Sequence, residues 1–259
     1  MIRKVLAMIM VFVCILNITI ISTNASEDYI PSESFNSQVM VLGNFKYYNK
    51  THNLNELNCL MDECLEQMEN AHLMAEAARG LGYEEEHPII VLAQAEWNIA
   101  NSSYSMYKRE YDDWMNKLNE YPEATKIWLY LKNLKYSDIT CAAILGNIMA
   151  EVGGNTLKIQ PHLYGRNHYG ICQWHLIFYK DVVGTNLMTQ CDFLRDTIRY
   201  EFDTFGFKYK AGFNYKSFIA LTDIKEAALA FAMSYERCDP VHYRIRQSNA
   251  LSAYNYYAG

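Results

Sequence analysis

Residues 138–154 read DITCAAILGNIMAEVGG, and the fold turns on how this stretch is read. Ser137, just before it, can accept the free backbone N–H groups of a helix start, and Gly153-Gly154 can end the helix. Between them Ile139, Ala142, Ala143, Ile144, Leu145, Ile148 and Met149 predict an apolar helix running to Glu151. Glu151 breaks the pattern. Ile144, Ile148 and Glu151 are spaced four and three, so a carboxylate stands on the apolar stripe. It also falls in the last turn, where the helix dipole disfavours a negative charge by about 0.3–1 kcal/mol. Desolvation and dipole both act against the ionised form, which is the condition that a general acid for a glycosidic bond requires.

The chain of 259 residues is 51% hydrophobic and 20% charged with only 12 Gly and 5 Pro, which excludes collagen-like and low-complexity classes and gives one large or two small domains. Net charge is -6, which argues against nucleic acid as a partner. Residues 26–125 carry 6 basic and 18 acidic side chains, whereas residues 126–259 carry 15 and 11, so two regions with different partners are implied. Arg3 and Lys4 precede an apolar run from Val5 to Ser22, followed by Thr23-Asn24-Ala25. Residues 1–25 are thus expected to be a signal peptide or an uncleaved N-terminal anchor, the only predicted membrane contact, and the rest is expected to be extracytoplasmic. Residues 26–53 have no lasting period and read as an extended lead-in. The six later cysteines show no CxxC or Cys/His spacing and are expected to be free, buried thiols, with no metal site.

From Leu54 the residues Leu54, Leu57, Met61, Cys64, Met68, Ala71, Ala75 and Ala78 alternate spacings of three and four, which predicts a long amphipathic helix ending at Gly80-Leu81-Gly82. Pro88 suits the first turn of a second helix, whose seam is expected at Leu92, Ala95, Ile99, Ser102 and Met106, then at Tyr111, Trp114 and Leu118. Residues 54–120 therefore read as an antiparallel, coiled-coil-like hairpin with acidic outer faces, able to self-associate or dock a partner protein. Residues 121–259 hold the chemistry. Besides Glu151, Tyr169-Gly170-Ile171-Cys172-Gln173-Trp174 offers an amide and an indole of the kind that bind and stack on sugars. Ala227–Tyr235 reads as an apolar helix delivering Glu236, which Arg237 could neutralise.

In this order, ILGNIMAE (144–151), YGICQW (169–174), QCDFL (190–194) and FAMSYERC (231–238) resemble the phage tail lysozyme family of peptidoglycan-cleaving domains across about residues 125–257. The resemblance implies a mainly α chain, a lysozyme-like helical domain preceded by the hairpin, with Glu151 as catalytic acid. It also implies that Asn147, Tyr169, Gln173, Trp174 and Tyr235 contact substrate. Many members have Glu-Ser-Gly where this chain has Glu151-Val152-Gly153, which removes a hydroxyl beside the acid.

The expected reaction is cleavage of the glycan strand without a cofactor. A second carboxylate that activates water, with Glu236 the first candidate and Asp181 or Asp192 weaker ones, would make a muramidase; without one, the substrate's own 6-hydroxyl attacks and a lytic transglycosylase results. Two other classes stand against this reading. One is a wall cysteine peptidase using Cys172 with His162, His168, His175 or His242; the other is an inactive wall-binding or structural module of a phage or conjugation apparatus.

Overall fold

The computed structural model describes residues 54–163, 165, 167–205 and 212–259, so the predicted targeting segment and lead-in lie outside the described residues. The chain is mainly α. Helices α1 (Leu54–Gly80) and α2 (Pro88–Glu120) are followed by α3 (Pro122–Asn133), α4 (Asp138–Val152), a two-stranded ribbon, α5 (Leu187–Phe205), α6 (Tyr215–Ile219), α7 (Ile224–Phe231) and α8 (Tyr243–Tyr257). The described residues divide into two units, one holding Glu56–Tyr111 and the other Asp112–Gly259 with Leu54-Asn55.

In the first unit α1 buries Leu57, Met61, Cys64, Ala71, Ala75 and Ala78, the stripe that its spacing predicts. Gly82, with φ of 83°, turns the chain toward α2, and Arg79 bridges Glu76 and Glu85 beside the turn. The seam on α2 differs from the predicted one. Ile90, Ala93 and Ala100 are buried, whereas Leu92, Ile99 and Met106 are 46%, 68% and 47% exposed. Ile89–Ala93 is an unbroken apolar run that satisfies every register, so spacing alone could not choose. Packing chooses. The buried face of α2 carries Ile90 and the small residues Ala93 and Ala100, as that of α1 carries Ala71, Ala75 and Ala78. Glu96 shares that face, and partial burial raises its carboxyl above the usual range.

In the second unit α4 is the centre, buried continuously from Thr140 to Met149 and packed by α7, α8 and α3. Its start follows the sequence, since Ser137 Oγ accepts the Thr140 N–H at 3.1 Å. Gly146 sets the approach of α8: a Cβ there would lie 2.4 Å from the Ala250 backbone nitrogen. Around this core Phe202, Phe218 and Phe231 are fully buried, and Tyr257 stacks on Trp128 at 4.8 Å and Trp114 at 6.3 Å. The ribbon pairs β1 (His168-Tyr169) with β2 (Trp174-His175) in antiparallel register, Tyr169 opposite Trp174. Gly170, at φ of 82°, is required at the turn because a Cβ would press within 2.8 Å of Gln190 Oε1 and 2.9 Å of the Trp174 ring. The helix predicted over 227–235 is interrupted: α7 ends at Phe231 and Ala232–Glu236 form one π-helical turn, closed by Arg237 in the left-handed region.

Candidate active site

Three helical segments bring charged groups together at one end of α4. Glu151 stands in its last turn with 21% of its side chain exposed, and its Oε1 accepts a hydrogen bond from Arg246 Nη2 on α8. Arg246 Nη1 also donates to Asn147 Oδ1 at 3.1 Å, one turn earlier on α4. Asn147 is buried and donates from Nδ2 to the carbonyls of Ala143 (2.8 Å) and Ala228 (3.0 Å), so it ties α4, α7 and α8 at one point. The π-helical turn supplies the other carboxyl. Glu236 Oε1 is sealed from solvent without a hydrogen-bond partner, and so is Arg246 Nε. Burial, reinforced by the charge of Glu151, pushes the Glu236 carboxyl well above the ordinary range, while Arg246, the Cys172 thiol and Arg237 pull the other way. Glu236 thus stands beside a guanidinium and a second carboxyl with its charged form disfavoured.

Arg237 does not neutralise Glu236 by an ion pair. It pairs at 2.7 Å with Glu201, which also accepts from Tyr179 Oη at 2.5 Å, and its guanidinium lies over the Phe205 ring at 4.7 Å. The weaker carboxylate candidates have other engagements: Asp192 accepts from Tyr130 Oη at 2.6 Å and Arg195 Nη1 at 2.7 Å, and Asp181 is exposed on the short turn Lys180–Val182.

The residues expected to contact sugar are placed more deeply than the sequence suggests. Trp174 is buried and donates from Nε1 to Tyr235 Oη at 3.0 Å, Tyr235 Oη pairs with Thr197 Oγ1 at 2.8 Å, and Tyr169 Oη pairs with His162 Nδ1 at 2.8 Å. Their polar atoms hold the protein together. Gln173 is half-buried at φ of 45°, and its Nε2 donates to the carbonyls of Leu163 and Gly170 at 3.0 Å each. Asn147 acts on Arg246 rather than on solvent.

The Cys172 thiol lies against Glu236, and burial with the charges of Glu236 and Glu151 pushes it well above its ordinary value. That is the reverse of what activates a cysteine nucleophile. Of the candidate histidines, His162 is bonded to Tyr169, and His168 and His175 meet edge to face at 4.8 Å. The described cysteines are free, and no cluster of three His, Cys, Asp or Glu suited to a metal ion occurs among the described residues.

Two groups here were not singled out from sequence. Arg246 heads the buried face Arg246, Asn249, Ala250, Ala253, Tyr257, and its signal was a cation on an apolar stripe. Gln190 is fully buried; its Oε1 accepts the Ile171 N–H at 2.9 Å and its Nε2 donates to Pro161 and Thr185 carbonyls, fixing the ribbon against α5.

A mainly α domain of this kind is consistent with a lysozyme-like fold. A family model for phage tail lysozyme matches residues 122–257, and the chain belongs to that family. The domain is a peptidoglycan-cleaving glycosidase domain, with the bacterial wall polymer as its substrate. No curated protein and no solved structure matches the chain. No helix among the described residues is long and apolar enough to cross a membrane.

Proposed function

We propose that residues 121–259 cleave the glycan strand of peptidoglycan outside the cytoplasmic membrane, with Glu151 protonating the glycosidic oxygen as an oxocarbenium-like transition state develops. The observation that carries this reading is the asymmetry of the two carboxyls: Glu151 is open to a ligand, whereas Glu236 Oε1 is sealed. Glu236 serves as the group that keeps a proton in the site. Arg246 positions Glu151, and its unpartnered Nε leaves it able to serve Glu236 when the proton passes to Glu151.

Because Glu236 Oε1 is sealed and Asp192 is engaged elsewhere, completion by the sugar's own 6-hydroxyl is favoured, giving an anhydro product. Activation of water by Glu236 is the second reading, supported by its closeness to Glu151 in charge interaction. The net positive charge of residues 126–259 suits an anionic wall polymer. The test compares the chain with Glu151→Gln on insoluble peptidoglycan, with mass spectrometry of released fragments. Release by the unmutated chain alone is expected, with anhydro ends; reducing ends would favour Glu236 as the base, and wall binding without release by either would make the domain a binding module.

A further inference from the structure

The stripe Leu92, Ala95, Ile99, Ser102, Met106 on α2 keeps heptad spacing, yet it faces away from α1 and all five residues are exposed. At 1.5 Å per residue it is about 21 Å long. α2 therefore carries two apolar faces, one used inside the hairpin and one without a partner among the described residues. We propose that this second face is the contact between two copies of the chain, paired antiparallel about a two-fold axis.

Three features single out a second copy as the occupant. The stripe is self-complementary: with the axis between residues 100 and 101, Ile99 of one helix meets Ser102 of the other, Met106 meets Ala95, and Leu92 meets Arg109. Every layer sets a large residue against a small one or against the methylene stem of an arginine, the alternation that lets facing helices interdigitate. The contact is isologous, so it closes as a dimer. Charge points the same way. α1 carries six acidic residues against one basic, so two hairpins repel on that side, whereas Pro88–Tyr107 holds a single charged residue, Glu96, itself turned to the α1 side. Positions along one side of the stripe are Val91, Gln94, Asn98, Asn101 and Ser105, which neither repel a second copy nor demand an oppositely charged partner, and along the other are Glu96, Ser103 and Glu110, all half-buried.

A stripe of this size gives an interface at the small end of specific contacts, so association depends on concentration, and it tightens with salt as the acidic outer faces are screened. Sedimentation velocity of the full chain over a hundredfold concentration range tests it. A shift from one to two chain masses is expected, with association weakened at least tenfold by Ile99→Lys, whose position is too exposed to disturb folding; circular dichroism confirms the unchanged helix content. Ile99→Glu and Ser102→Lys should each fail to pair alone and pair again when mixed, because position 99 of one copy faces position 102 of the other. A chain that stays single at every concentration, or a dimer indifferent to Ile99→Lys, would overturn the proposal. Failure of the mixed pair would overturn the antiparallel register.

Discussion

The hairpin and the second unit solve the same problem, burying helices, by opposite means. In the hairpin, small residues line the buried faces, Ala71, Ala75 and Ala78 on α1 and Ala93 and Ala100 on α2, and charge is exposed or, as at Glu96 and Glu110, half-buried. In the second unit, polar groups go inside and several are tied by direct bonds: Asn147 to Ala143, Ala228 and Arg246; Gln190 to Ile171, Pro161 and Thr185; Glu201 to Tyr179 and Arg237. An alanine seam is tolerant of sliding, whereas a buried bonded amide has one acceptable geometry. A surface can be built on the first and a reaction on the second.

The sharpest break in this comparison is Glu151→Gln. It leaves the packing of α4 untouched and should lower glycan cleavage by about 10²–10⁴-fold, the range for loss of a general acid, as read by muropeptide release. Arg246→Met removes the cation that serves Asn147 and Glu151, and leaves the Asn147 acceptor buried and the Glu151 carboxyl half-buried without it. Breaking a buried pair costs about 3–5 kcal/mol, so a large fall in the urea midpoint is expected, far beyond that of any charge substitution in the hairpin. Gly146→Val forces atoms into the Ala250 backbone and should cost more than the roughly 1–3 kcal/mol of ordinary overpacking, whereas Gly80→Val, with no atom near its Cβ direction, should cost less, by thermal unfolding.

Smaller effects follow from the two raised carboxyls. For Glu236 the folded state keeps its proton after the unfolded chain has lost it, so the native state binds more protons and stability falls as pH rises. The fall begins near the ordinary carboxyl range and continues up to the raised folded value, with a slope of at most about 1.4 kcal/mol per pH unit. Glu236→Gln should flatten that slope in denaturant titrations at successive pH. Glu96→Gln has the smallest expected effect, a stabilisation at neutral pH of under about 1 kcal/mol, because the seam no longer holds a half-buried charge.

These contrasts also mark what the sequence could convey. α4 was legible from end to end, because its cap at Ser137, its apolar body and its glycine stop agree with one another. The register of α2 was not, since five consecutive apolar residues from Ile89 to Ala93 fit any seam and the deciding constraint lay on another helix. Glu151 and Glu236 were visible as acids closing apolar segments. Arg246 was as visible on the stripe of α8, but nothing local says that a cation there has two carboxyls waiting some ninety residues upstream and ten residues upstream in the chain. Trp174 and Tyr235 were legible as members of two separate motifs, but the bond that joins their polar atoms spans 61 residues of chain and leaves no local signal.

The π-helical turn at Ala232–Glu236 gives the placement of Glu236 an unusual basis. Such a turn holds one residue more than an α-helical path over the same span, so the direction in which residue 236 leaves the helix is fixed by a count of residues rather than by which residues they are. Substitution can remove the carboxyl but cannot re-aim it. The same five residues wound as a regular α-helix would carry the acid about 90° further around the axis, whereas deleting one residue between Phe231 and Tyr235 would restore a regular helix and leave its direction almost unchanged. The place of the second carboxyl is thus a property of how the turn is wound, held without any change in the chemistry of its neighbours.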